Sequence, residues 1–173
     1  MAAMAFIPFA AVRIANTEAN GSTADSADNA ASERERVCGI ASSHCKSGHC
    51  DETLKAVLSI VLTDLKSGAS FAENNSDKEI YNKLMKLYDS AEELKINGRT
   101  EYLPFSTCSQ GNTVSDPRYP YLSPAASPWD RFSDEYADAA PCSGVSVEGV
   151  DYLCKNGKTA KEALKYYIPA IDG

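Results

Sequence analysis

Large aliphatic side chains are scarce in this chain. Leu, Ile, Val and Phe supply 32 of the 173 residues, about 18%, and below roughly 20% a hydrophobic core is thin. No run approaches 18 apolar residues, which excludes a hydrophobic spanning helix. Cationic side chains are also in deficit: 17 Lys and Arg stand against 24 Asp and Glu, for a net charge of -7. With a sequence pI near 4.8, the chain repels a phosphate backbone, so nucleic acid is not an expected partner. Histidine occurs twice and tryptophan once. There is no Ser/His/Asp order, P-loop, G-x-G-x-x-G or H-E-x-x-H motif. Asp134, Glu135 and Asp138, like Glu92 and Glu93, read as solvated helix faces, not as carboxylates held apart in pKa within a dry cleft. These absences point away from an enzyme and towards one non-enzymatic domain.

What the chain does have is cysteine. Six stand at Cys38, Cys45, Cys50, Cys108, Cys142 and Cys154. An even count in a core-poor chain favours disulfides and an oxidising compartment or organelle lumen. Cys142 and Cys154 flank a helical segment and Cys108 lies in a proline-rich one, so bridges there would replace missing core. Fifteen pairings are open. The first three cysteines fall within 13 positions together with both histidines. Cys38, His44, Cys45, His49 and Cys50 therefore form a candidate zinc set, although the spacing matches no common C-x2-C knuckle. A thioether-linked chromophore on one cysteine and inert thiols are the other readings; no cofactor is the expectation.

Residues 1–36 read as an extended arm and 37–173 as the folded domain. Residues 1–15 form an apolar anchor without a basic residue before Arg13, a poor secretory signal. Phe6, Ile7 and Phe9 would insert into a partner groove, with a peripheral membrane location as the alternative. Residues 16–36 carry no Ile, Leu, Val, Met, Phe, Tyr or Trp and so bury nothing to offset their ordering entropy. Asn20-Gly-Ser22 and Asn74-Asn-Ser76 fit the glycosylation acceptor pattern, which matters only on a secretory route. Phe6 and Pro8 resemble the phenylalanine-bearing leaders of plastid proteins in algae with red-type plastids. That resemblance implies a plastid or thylakoid-associated location.

The spacing predicts an all-α domain: an antiparallel helix hairpin plus three short helices, stapled by disulfides. Leu54, Val57, Leu58, Val61, Leu62 and Leu65 form one stripe of a helix from Asp51 to about Lys66, stopped by Gly68. A second helix opens at Ser76 with Glu79 in a capping box and runs through Leu94 to Asn97-Gly98. Segment 103–128 is rich in proline and aromatics, and either wraps the core or lies on a partner. Its Tyr119 and Tyr121, with Trp129 just beyond, are partner-binding candidates. A third helix is expected from Pro128 to Ala139 with Trp129, Phe132 and Tyr136 inward. A fourth spans about Ser146 to Lys155, and a fifth opens with the Thr159/Glu162 box and buries Ala163, Leu164, Tyr167 and Ile168.

The functional expectation is a structural or linker subunit that bridges or caps larger proteins of an assembly. The plastid-like start would make that a photosynthetic light-harvesting or photosystem complex. The alternative is a free-standing secreted or lumenal disulfide-rich helical binding protein.

Overall fold

The computed structural model describes residues 24–71 and 77–173. The apolar anchor with Phe6, Ile7 and Phe9, and both glycosylation patterns, lie outside these residues. The described chain is mostly helical: α1 (Ala24–Ser42), α2 (Asp51–Lys66), α3 (Lys78–Leu87), α4 (Val147–Lys155) and α5 (Ala160–Tyr167), with short 3-10 turns at Tyr88–Ser90, Pro128–Phe132 and Tyr136–Asp138. The only strands among the described residues are β1 (Phe105–Ser106) and β2 (Val145–Ser146), paired in parallel. No described helix is long and apolar enough to cross a membrane.

α2 is the axis of the fold. Its expected stripe meets α1 and α3: Leu54, Val57, Leu58, Val61 and Leu62 pack with Val37, Cys38 and Ala41 on one side and with Ile80 and Leu84 on the other. The opposite side is buried too. Ala56 and Ile60 join Val150 and Cys154 of α4, Leu164 and Tyr167 of α5, and Leu94, Leu103, Leu122 and Val145 from the connecting segments. A helix covered all round must give partners to its polar side chains. Those of α2 find them in loop backbone. Ser59 Oγ accepts from Glu92 N at 3.1 Å, Thr63 Oγ1 from Leu94 N at 2.9 Å, and Asp64 Oδ1 from Leu103 N at 2.6 Å.

This ladder explains why the second helix is shorter than its periodicity predicts. After Tyr88–Ser90 the backbone turns extended at Ala91 (ψ 138°), and α2 side chains replace the helical bonds. Leu94 is buried as expected, but from an extended strap. Asn97-Gly98 is a tight turn, bridged between Ile96 and Arg99. The cap also moves: Asp77 accepts from Glu79 N and Ile80 N. For α2 the cap is Cys50, with Asp51 the first helical residue.

α1 corrects the extended arm. It begins at Ala24, inside the polar stretch, because its C-terminal turns are anchored. Val37, Cys38 and Ala41 are fully buried, and Arg34 donates to the Met85 carbonyl at 2.5 Å and pairs with Asp89 at 3.3 Å. The alanines upstream, Ala24, Ala27, Ala30 and Ala31, let the helix extend back from that nucleus.

The disulfide staples are not seen, since all six cysteines are free. Cys38, Cys45, Cys108 and Cys154 are buried and serve as small apolar groups. Burial pushes the Cys38 and Cys108 thiols up to about 11 and those of Cys45 and Cys154 to about 12.

Segment 103–128 wraps the core. Leu103 and Leu122 are buried, and Phe105, Tyr119 and Tyr121 are half-buried against it. Its return beside β2 requires glycine at 144: φ is +80°, and a Cβ there would stand 2.0 Å from the Pro104 carbonyl oxygen. The fourth and fifth helices agree with expectation, including the reciprocal Thr159/Glu162 capping box, and Ser146 is the N-cap of α4.

Candidate functional site

The third expected helix is replaced by two 3-10 turns; Trp129 and Tyr136 are half-buried, but Phe132, expected inward, faces out. Asp130 is 1% exposed while Phe132 is 81% exposed. A buried carboxylate is tolerated only when its lone pairs are filled. Asp130 Oδ2 accepts from Ser109 N at 2.8 Å, Ser109 Oγ at 2.5 Å and Ser146 Oγ at 2.7 Å. Oδ1 accepts from Ser127 Oγ at 2.7 Å, and Ser127 meets the Tyr167 hydroxyl, also at 2.7 Å. One side chain thus ties the proline-aromatic segment to the N-cap of α4 and the last turn of α5. Burial holds the Tyr167 phenol well above its ordinary value.

Over this network lies an aromatic face. Trp129 stacks on Tyr152 with ring centroids 4.8 Å apart and planes 5° apart, and Tyr166 lies 5.7 Å from Trp129 on its other flank. The polar tips turn inward: Trp129 Nε1 donates to Tyr167 Oη at 3.4 Å and Tyr166 Oη to the Ala126 carbonyl at 2.8 Å. Tyr152 and Tyr166 stay exposed. The close fit beneath depends on Gly149, where a Cβ would stand 1.8 Å from the Tyr167 hydroxyl.

Beside Phe132, Glu135 pairs with Lys46 at 3.1 Å, and Lys46 also pairs with Glu148 at 2.5 Å. His49 is the largest influence lowering Glu148, with Lys46 next, and together they hold its carboxyl at about 2, although His49 Nε2 makes no hydrogen bond. His49 Nε2 lies 3.5 Å from Glu148 Oε1, and His49 Nδ1 accepts from Lys46 N at 3.2 Å. This cluster is an ion-paired hinge between loop 43–50 and the start of α4.

The five candidate metal ligands are not brought together. Cys38 sits in the α1 core and His44 edges onto Phe105 at 4.7 Å. Cys45 is buried among aliphatic groups, His49 faces Glu148, and Cys50 Sγ lies 3.2 Å from Thr53 Oγ1. Among the described residues, no three His, Cys, Asp or Glu side chains converge as a metal site. A cysteine-linked group would need an accessible thiol, and only Cys50 and Cys142 are half-exposed. Of the partner candidates, Trp129 belongs to the aromatic face, whereas Tyr119 and Tyr121 complete the core edge, with the Tyr121 hydroxyl on the Tyr102 carbonyl. Sequence reasoning missed Phe132 as an exposed group, and Tyr152 and Tyr166 altogether. For Tyr152 and Tyr166 the only sequence signal was position, off the buried stripes of α4 and α5; Phe132 carried none.

An open depression of about 230 Å³ lies between α2 and α5, lined by Glu52, Lys55, Glu92 and Lys161 among others. Its charges are already engaged: Glu52 binds Lys55 at 2.6 Å and Ala160 N at 2.8 Å. Comparison with models of known protein families finds no match, and comparison with curated proteins finds none.

Proposed function

We propose that this chain is a non-enzymatic structural subunit that bridges or caps larger proteins in an assembly, docking through the Trp129–Tyr152–Tyr166 face and Phe132. The observation carrying this reading is Phe132, 81% exposed on a turn fixed at both ends by Asp130 and by Glu135. Exposed aromatic groups on a rigid support are the usual anchors of protein interfaces. The chain's net charge of -7 suits a partner that presents an apolar pocket with a basic or neutral rim. The plastid-like Phe6 and Pro8 favour a photosynthetic light-harvesting or photosystem complex as host. A free-standing disulfide-rich protein has less support, because the domain closes with all its thiols free.

The test is hydroxyl-radical footprinting of the chain in its native high-mass fraction and as the purified protein. Phe132, Tyr152 and Tyr166 should be protected several-fold in the former. Equal labelling in both, or a chain that migrates alone from its native source, overturns the reading.

A further inference from the structure

Asp151 of α4 reaches across to the start of α2. Its Oδ1 accepts from Cys50 N at 3.0 Å and from Thr53 Oγ1 at 2.9 Å, while Oδ2 holds Lys155 at 2.5 Å. Cys154, one turn on from Asp151, is on the same face of α4, 8% exposed, in the core cluster against which Cys50 packs. The Thr53 hydroxyl lies 3.2 Å from the Cys50 sulfur and also faces the Cys154 thiol. Two thiols distant in sequence thus bracket one hydroxyl at a junction held by an ion pair. Their surroundings differ. Cys50 is half-exposed at the N-terminus of a 16-residue helix, with the Lys155 ammonium close enough to feel its charge. Cys154 is enclosed.

We propose that Cys50 and Cys154 form an oxidant-reactive dithiol site whose substrates are low-molecular-weight disulfides of the glutathione class. The Cys50 thiolate attacks one sulfur of the incoming S–S bond. That bond breaks, one small thiolate leaves and takes up a proton, and a mixed disulfide remains on Cys50. Cys154 then gives up its proton and attacks the Cys50 sulfur, expelling the second small thiol. Two protein thiols are oxidised, one small disulfide is reduced to two thiols, and the bridge joins α2 to α4. Cys154 is enclosed, so the first attack falls to Cys50 and Cys154 acts second.

The test uses the full chain and oxidised glutathione, followed by intact mass under denaturing, non-reducing conditions and by peptide mapping. Cys142→Ser removes the other half-exposed thiol and serves as background. There the protein should pass through a single adduct and end two hydrogens lighter, with Cys50 linked to Cys154. Adding Cys154→Ser should arrest it at one glutathionyl group on Cys50, and adding Cys50→Ser should abolish both products. Closing so long a loop should raise the thermal midpoint by on the order of 10 °C. A stable adduct without Cys154→Ser, or first attack at another cysteine, overturns the proposal. The unaltered chain provides an independent check: mapping a bridge other than Cys50–Cys154, such as Cys108–Cys142, overturns it without any variant.

Discussion

Asp64 is fully buried on α2, and only one of its oxygens is used: Oδ1 accepts from Leu103 N, while Oδ2 has no partner. Burial is the dominant influence and raises the carboxyl from its ordinary 3.8 to about 8, against a smaller opposing effect of the Leu103 hydrogen bond. The unfolded chain loses this proton near pH 4, and the folded chain keeps it until about pH 8. Between those values the folded state binds one proton more, so stability falls as pH rises, by about 1.4 kcal/mol per pH unit. The accumulated cost above pH 8 is roughly 6 kcal/mol, large beside a total stability of about 5–15 kcal/mol.

Asp64→Asn removes this titration and keeps the bond from Leu103 N through the amide oxygen. It places an amide NH2 where Oδ2 has no partner, at a cost of about 1–3 kcal/mol that does not change with pH. The variant should therefore be close to the wild type at pH 5 and more stable by roughly 2–4 kcal/mol at pH 8. Urea unfolding, followed by the fluorescence of Trp129 at pH 5, 6, 7 and 8, measures this difference directly. Other titrating groups cancel in the comparison, including Tyr102 and Tyr121 near Asp64, whose phenols burial keeps raised and neutral. Parallel stability curves for the two proteins would refute the reasoning.

Glu148, held at about 2, behaves in the opposite sense: its folded value is depressed, so its contribution is present above about pH 4.5 and disappears as pH falls towards 2. Glu148→Gln should cost roughly 2–3 kcal/mol at pH 7 and almost nothing at pH 2, read by denaturant titration at both; an equal deficit would count against the ion-paired hinge. Asp130→Ala strands one N–H and three hydroxyls and should cost on the order of 3–5 kcal/mol, with loss of the near-ultraviolet dichroism of Trp129; an unchanged spectrum would show that the network does not fix the ring. Gly149→Ala inverts the usual helical preference for alanine, because the methyl would meet the Tyr167 hydroxyl at 1.8 Å and Ser127 Oγ at 2.5 Å. It should lower stability by about 1–3 kcal/mol or more, whereas Gly48→Ala, with open space around it, should stay within about 0.5 kcal/mol in the same assay.

The parts of the fold legible in the sequence are those with a local period. Leucine and valine spaced by three and four mark α2, and serine or threonine followed by Glu162 or by Asn156-Gly157 bounds α4 and α5, because caps are written within one turn of the bond they satisfy. The parts that were not legible depend on distant partners. α1 is polar over its first turns and is fixed by Val37, Cys38, Ala41 and Arg34 only once α2 and α3 are in place. α3 stops early because Ser59 and Thr63, outside the leucine-valine stripe of α2, bind the backbone of Glu92 and Leu94. Phe132 was expected inside with Trp129 and Tyr136, and the structure buries Asp130 instead. Four hydrogen bonds hold it there, and three of their donors lie outside the helical turn, at Ser109 and Ser146.

These reversals share a cause. A chain with few aliphatic residues cannot close by burial alone, and this one fastens its loops with polar side chains, most of them planted on helices. Asp64 and Thr63 hold the strap before segment 103–128, Asp151 holds the start of α2, and Asp172 holds the turn at Asn97 and Gly98 through both its oxygens. Each such bond contributes about 1 kcal/mol net when made and costs more when one partner is lost, so the fastening is specific as well as stabilising. Its consequence for function lies in the aromatic face. The Trp129 and Tyr166 donors are spent on Tyr167 and Ala126, leaving their rings to meet whatever approaches. Phe132 stands between two tethered residues, so its exposure is fixed by the structure on either side and is not the result of poor packing. A ring held outward in this way keeps little conformational entropy to lose on docking, which is the property that separates an interface anchor from an ordinary exposed side chain.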